Sequence, residues 1–340
     1  MSLDPRLLDP ARMDRVLAER LSRELDEIEV VFERQLASDL TAVNALCLHV
    51  ARYRGKMLRP TLVLAGGVAA GGLDALVPEH RTIAATVEMI HMATLVHDDV
   101  LDDADVRRAG DTVNRLHGNE TAVMLGDYLI SNAFHLCSTA GRPEVNLRLG
   151  EVTNTLCEGE LLQLSHRGDH ALSVGTYLEI VRRKTASLIA ESVRLGAELA
   201  GAPAATADAL HRAGTLMGIA FQVQDDVLDL VGEETVTGKS TGRDLALHKM
   251  TLPMILHLEA ASADERGRML DLIDGTSARG HDDAAAAIRR RLVEDGAVDA
   301  ARDRARGFVA EAAAIIADLP DGPGRALLER MAASIVERRA

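Results

Sequence analysis

Aromatic side chains are nearly missing from this chain of 340 residues. It has no tryptophan, and three tyrosines and four phenylalanines make up an aromatic share of 2%. Its core must therefore be built from Ala, Leu, Val and Ile, and a core led by Ala and Leu favours helix. Long apolar runs are lacking too. None reaches the ~18 residues that a membrane span needs, and the most apolar stretch, Ile83 to Val96, is broken by Glu88 and His91. Positive charge is in deficit: 38 Lys and Arg face 52 Asp and Glu, a net charge of −14. That balance argues against binding nucleic acid and against a polybasic membrane patch. Cysteine is scarce. Cys47, Cys137 and Cys157 have no metal-ligand spacing and read as reduced core thiols of a cytoplasmic protein. Met1 to Glu19 carries charges throughout and lacks an apolar h-region, so no signal peptide is expected.

What is present is helical periodicity over almost the whole length. It predicts helices at about 10–38, 41–53, 58–71, 80–102, 119–140, 144–166, 174–200, 204–232, 248–260, 263–275, 281–293, 297–318 and 323–338. Strand-type alternation is absent. Breakers fall between these segments, among them Gly71-Gly72, Gly141-Arg142-Pro143, Gly201-Ala202-Pro203 and Gly238 to Gly242. No linker splits the chain and no solenoid period is found. The expectation is one all-α domain over 1–340, a large helical bundle with a central cavity.

One acidic signature occurs twice. Asp98-Asp99-Val100-Leu101-Asp102 and Asp225-Asp226-Val227-Leu228-Asp229 both read D-D-x-x-D at the end of a strongly apolar segment. On a helix, positions i and i+4 share a face, so Asp98 projects with Asp102 and Asp225 with Asp229. Carboxylates that close repel one another. A hard cation between them turns the repulsion into attraction, and Mg²⁺ is the usual one. A single copy in so acidic a chain is more often a solvated helix face. Two copies ending apolar helices, each followed by a basic loop, point to Mg²⁺ ions gathered around a diphosphate. The basic loops run from Asp103 through Arg107-Arg108 to Asn119, and from Gly232 through Lys239 and Asp244 to Lys249. Arg grips phosphate oxygens with a planar fork and Lys acts as a point charge.

In this order the motifs resemble those of the trans-type isoprenyl diphosphate synthases, also called polyprenyl synthetases. The resemblance covers about 50–260 closely. It rests on Gly55-Lys56-Met57-Leu58-Arg59-Pro60, Glu88-Met89-Ile90-His91, both aspartate motifs, Arg107-Arg108, Gly126-Asp127-Tyr128-Leu129, Glu158-Gly159-Glu160, Lys184-Thr185, Phe221-Gln222, Gly238-Lys239 and Thr251-Leu252-Pro253. It implies an all-α isoprenoid-synthase bundle, a homodimer, and three Mg²⁺ ions per active site. It implies that Asp98, Asp99, Asp102, Asp225, Asp226 and Asp229 hold the metal. Lys56, Arg59, His91 and Arg108 resemble the pocket for isopentenyl diphosphate, and Arg107, Lys184, Lys239 and Lys249 the grip on an allylic diphosphate. Lys184, Thr185 and Gln222 resemble the groups that act at the allylic carbon. A histidine on an apolar face is more often a hydrogen-bonded core residue, but the spacing of His91 to Asp98 favours substrate contact. His97 is read as structural. Four positions depart from the family pattern: Met57 stands where a basic residue is frequent, Ala109 and His248 where Gly is, and Asp111 where Pro is.

Such a reaction needs an apolar tunnel for the growing chain, and each isoprene unit is about one helical turn long, roughly 5 Å. Thr94 and Ala93, one turn before Asp98, are small where short-chain members of the family often carry an aromatic. Ile90 lies deeper, and Phe134 and Cys137 are lining candidates on a partner helix, although any of these also serves as plain core. The expected product is about thirty carbons or more, stepping one turn per unit. A shorter-chain synthase of fifteen to twenty carbons, a class I terpene cyclase or head-to-head coupling enzyme, and a non-catalytic synthase subunit are the competing readings. The first differs only in tunnel depth, the second lacks the isopentenyl diphosphate pocket, and the third is expected to lose aspartates. A helical Ca²⁺-binding or scaffold protein would need no ordered Lys/Arg set, and no EF-hand loop is found.

Overall fold

The computed structural model describes residues 15–53, 55–107, 110–231, 243–275 and 281–337. They are helical nearly throughout, as the apolar periodicity predicts. Helices α1 (Arg15–Leu36), α2 (Thr41–Ala51), α3 (Leu58–Gly71) and α4 (Pro78–Leu101) come first. The short α5 (Val113–His117), then α6 (Asn119–Thr139) and α7 (Pro143–Ser165) follow. A long helix then runs as α8 (Val174–Val181), a π turn (Arg182–Ala186) and α9 (Ser187–Leu199). After α10 (Ala204–Val231) come α11 (Arg243–Ala246), α12 (Leu252–Ala260), α13 (Ala263–Gly275), α14 (His281–Glu294), α15 (Ala297–Ala317) and α16 (Pro323–Val336).

The short α5 and α11 fall in no predicted helix, and three further local features differ from the sequence reading. A two-residue antiparallel ladder pairs Val106 with Asp111 and Arg107 with Gly110 in the loop after the first aspartate motif. The π turn interrupts the helix expected to be regular over 174–200. The helix expected from 248 starts at Leu252, because His248 is left-handed (φ 52°) and Pro253, which has no N–H to give, sits in the first turn.

The chain divides into two compact units, Met1–Thr153 with Leu188–Gly214 and Ala313–Met331, and Asn154–Ser187 with Thr215–Ala312 and Ala332–Ala340. In the first, α4 is the central element. It packs most extensively against α6 and also against α3 and α1. Every residue from Ile83 to Ile90 is buried, so this stretch is enclosed on all sides. Pro78 opens α4, where a missing N–H costs nothing. His80, fully buried, accepts from the Val77 N–H through Nδ1 (3.1 Å) and bonds the Gly196 carbonyl through Nε2 (3.0 Å). The ring therefore carries its proton on Nε2, and burial lowers its pKa.

In the second unit, α8 packs on α12, and α14 packs on α12 and α13. Ser173 caps α8, its Oγ accepting from the Thr176 N–H at 3.1 Å.

Candidate active site

In the first unit, His91, Thr94, Leu95 and Asp98 of α4, and Asp102, which caps its C-terminus, keep partial exposure. Their spacing puts them on one face. Asp99 points elsewhere. It is 1% exposed and held by Arg107, whose Nε donates at 2.8 and 3.0 Å and whose Nη2 lies 2.7 Å from Oδ1. The D-D-x-x-D copy thus splits into a half-exposed i, i+4 pair and a buried carboxylate with its own cation. The Asn114 amide donates to the carbonyls of Asp99 (3.2 Å) and Ala104 (3.1 Å). The Val113 N–H donates to the Tyr53 hydroxyl at 3.1 Å. Burial, with the Asp99 charge adding to it, pushes the Tyr53 pKa up to about 12. These bonds pin the loop that follows the motif.

Lys56 and Arg59 flank the start of α3, Lys56 exposed and Arg59 half-buried. Met57 between them is left-handed (φ 51°) and buried in the core, so it serves packing where a basic residue is frequent. His97 turns to α6, its Nε2 3.2 Å from the Val123 carbonyl oxygen and 3.6 Å from Asp127 Oδ1. Arg108 and Lys239, together with Ala109, lie outside the described residues. Of the chain-length candidates, Ile90, Ala93 and Cys137 are fully buried, while Thr94 and Phe134 keep partial exposure.

The second unit contains a cavity of about 110 Å³. Lys184, Thr185, Gln222, Asp226 and Lys249 line it, with Gln163, His166, Arg167, Tyr177, Asp244 and Thr251. The π turn presents Lys184 and Thr185, and two glycines clamp it. A β-carbon on Gly159 would stand 2.5 Å from the Lys184 nitrogen, and one on Gly218 would stand 2.5 Å from the Ala186 Cα. The close approach of α7 lets Glu160 pair with Lys184 and Glu158 with Arg183. The close approach of α10 brings Gln222, one turn past Gly218, to Thr185. The Thr185 hydroxyl donates to Gln222 Oε1 (2.9 Å), and Gln222 Nε2 donates to Asp226 Oδ1 (2.8 Å). The Tyr177 hydroxyl donates to Asp226 Oδ2 (2.6 Å). Asp226 is 6% exposed. Burial, with repulsion from Asp244, pushes its pKa up, while the Tyr177 and Gln222 donors oppose the rise.

The second motif splits as the first does. Asp225 and Asp229 are half-exposed, and Asp229 Oδ2 accepts from the Asp244 N–H at 3.1 Å. Lys249 follows the left-handed His248, whose carbonyl accepts from the Gly168 N–H at 3.1 Å. A positive φ accounts for the family's frequent glycine there. Among the described residues the non-glycine positions with positive φ are Met57, Asp103 and His248, each beside a site residue: Lys56, Asp102 and Lys249. Such strain collects where a side chain must be aimed.

Among the described residues no three carboxylate, imidazole or thiol groups form a closed metal cage. The donor set still fits Mg²⁺, which takes one or two carboxylates and fills its other positions with water and phosphate oxygens. Sequence reasoning missed Tyr177, His166 and Arg167, and named Glu160 and Thr251 only within motifs, without a role. The Thr251 hydroxyl is buried without a hydrogen-bond partner among the described residues. The motifs Glu158-Gly159-Glu160 and Thr251-Leu252-Pro253 mark two of these positions, but nothing local marks Tyr177.

The family model described as polyprenyl synthetase matches residues 41–290. Octaprenyl diphosphate synthase of Escherichia coli (strain K12) is 30% identical over 94% of this chain and 97% of its own length. Heptaprenyl diphosphate synthase component 2 of Geobacillus stearothermophilus is 37% identical over 72% of this chain and 75% of its own. The crystal structure of a decaprenyl diphosphate synthase from Rhodobacter capsulatus superposes with a TM-score of 0.87 and 33% identity, covering 96% of this chain and 99% of that one.

Proposed function

The chain belongs to the polyprenyl synthetase family, whose named members are prenyl diphosphate synthases, and from that premise we propose the reaction it carries out. It condenses isopentenyl diphosphate with an allylic diphosphate by ionisation, condensation and elimination, and depends on Mg²⁺. The product is an all-trans polyprenyl diphosphate of about thirty carbons or more, at about one helical turn of tunnel per unit. One observation carries the reading. In both aspartate motifs the second carboxylate is buried and bonded within the protein, and an i, i+4 pair is left half-exposed.

Asp98 on α4 with Asp102 at its C-cap, and Asp225 and Asp229 on α10, are the carboxylates that would hold Mg²⁺. The ion would supply charge neutralisation to the leaving diphosphate. Lys184 and Lys249 grip the allylic diphosphate, and Glu160 holds Lys184 until that anion arrives. The Thr185 oxygen and the Gln222 amide face the same cavity and offer electron-rich atoms to an allylic cation without trapping it covalently. Lys56, Arg59 and His91 are assigned to isopentenyl diphosphate, whose double bond attacks the cation before a proton is lost. Arg107 serves by neutralising Asp99 and fixing the loop.

Val123 and Met124 on α6 and Leu147 on α7 are large apolar side chains left exposed. A homodimer that covers them is part of the proposal, and light scattering of the purified protein measures it. No helix among the described residues is long and apolar enough to cross a membrane. The reading places the enzyme in the cytoplasm.

The deciding experiment incubates the protein with farnesyl diphosphate, labelled isopentenyl diphosphate and Mg²⁺ and sizes the dephosphorylated products. A ladder ending at about thirty carbons or beyond, abolished by EDTA, is the expected result. A stop at fifteen or twenty carbons keeps the enzyme class and removes the long tunnel. Failure to incorporate label with any allylic primer overturns the proposal.

A further inference from the structure

Tyr177 belongs to no motif that marks the family in the sequence, yet it sits at the base of the chain of hydrogen bonds that ends at Thr185. We infer that Tyr177 is a positioning residue for the prenyl transfer: it sets the direction in which the Thr185 hydroxyl points, acting through Asp226 and Gln222. The inference rests on the reaction proposed above.

Each oxygen of Asp226 meets a donor, Tyr177 at Oδ2 and the Gln222 amide at Oδ1, and a carboxylate engaged in this way only accepts. Tyr177 is 4% exposed and donates to Oδ2 at 2.6 Å. Asp226 is itself buried, which limits the access of bulk water as a replacement donor. With Oδ2 fixed, Oδ1 faces Gln222 and draws the amide N–H₂ toward it at 2.8 Å. The amide is thereby held in one of its two flips, with Oε1 directed at Thr185. Oε1 then accepts the Thr185 proton at 2.9 Å. A hydroxyl whose proton is committed to Gln222 presents lone pairs, not its hydrogen, to the cavity it lines. Electron pairs stabilise a cation there, and a hydrogen pointing inward opposes it. Tyr177 also lines the cavity, but its hydroxyl is spent on Asp226, so its effect on the reacting carbon is indirect.

Buried networks of this kind are apportioned by double-mutant cycles. Tyr177→Phe removes one oxygen and keeps the ring. Its kcat is expected to fall about tenfold, the scale of one hydrogen bond lost from the transition state, with KM for isopentenyl diphosphate changed less than about twofold. Gln222→Ala cuts the chain in the middle. If Tyr177 acts through Gln222, the double variant is no slower than Gln222→Ala alone. Multiplied effects in the double variant, or a Tyr177→Phe enzyme with parental kcat, overturn the inference. Thermal melting of each variant reports folding separately. Should Tyr177→Phe fail to fold, Asp226→Asn tests the same chain from its other end. Its amide can donate to Gln222, reverse the flip and take Oε1 from Thr185, so a similar fall in kcat is expected and parental kcat overturns the inference. The unaltered protein is assayed alongside. If it makes no polyprenyl product, the proposed function has failed, and the inference about Tyr177 is distinguished from that failure by a parent that works.

Discussion

Gly218 lies so close to Ala186 that a β-carbon on it would stand 2.5 Å from the Ala186 Cα and 2.7 Å from its Cβ. Both atoms belong to packed helices and neither yields cheaply. Gly218→Ala is therefore expected to cost about 1–3 kcal/mol, as overpacked cores do. It also pushes Gln222 away from Thr185, so kcat falls by more than KM changes. Steady-state kinetics beside a melting curve measures both, and parental kcat in the variant would refute the coupling.

The two kinds of aspartate in the first motif are expected to fail differently. Asp99→Ala leaves the mostly buried Arg107 without its carboxylate, which costs about 3–5 kcal/mol of stability. Asp98→Ala, at a half-exposed position, lowers the melting temperature less and abolishes turnover. Equal melting temperatures for the two variants count against the division of labour.

Glu191 supplies a pH signature away from the cavity. It is 2% exposed and lies 3.4 Å from Arg148 and 3.7 Å from His211. Burial raises its pKa from the ordinary 4.5 to about 7, against the pull of Arg148 and Arg194. Between those values the folded chain holds a proton that the unfolded chain has lost, so this group's contribution to stability declines as pH rises across that window. Glu191→Gln is expected to flatten the decline, with a gain on the order of 1–3 kcal/mol at pH 8 relative to pH 5. Urea melts at the two pH values check it, and an unchanged slope contradicts the assignment.

Product length is expected to respond at Thr94 more cleanly than at Ala93. Thr94 keeps partial exposure on the face shared with His91 and Asp98, its hydroxyl donating to the His91 carbonyl at 2.7 Å. Ala93 is fully enclosed. Thr94→Phe should shorten the product to about fifteen carbons, near one helical turn above the metal pair. Ala93→Phe should cost about 1–3 kcal/mol through overpacking before it alters length. Reversed-phase sizing of the alcohols decides, and a full-length product from Thr94→Phe removes the tunnel from this face.

The helices were legible because Leu and Ala recur at helical spacing between Gly and Pro breakers, and most ends fell within a residue or two of the structure. The i, i+4 pairs Asp98–Asp102 and Asp225–Asp229 were legible for the same reason: helix geometry is local. What Asp99 and Asp226 face was not. Arg107 reaches Asp99 through a hairpin of two-residue strands too short to leave a pattern. Tyr177 meets Asp226 across 49 positions. The π turn was hidden because its residues, Arg182 to Ala186, are ordinary helix formers. The two glycines that pack against it, Gly159 and Gly218, are remote in the chain.

That turn also sets how the helix presents its side chains. A π turn holds one residue more than a regular helical turn. Deleting one residue between Arg182 and Ala186 should restore an uninterrupted α-helix and swing Lys184 and Thr185 by about 100°, one residue's rotation, away from Glu160 and Gln222. The better helix would be the worse enzyme.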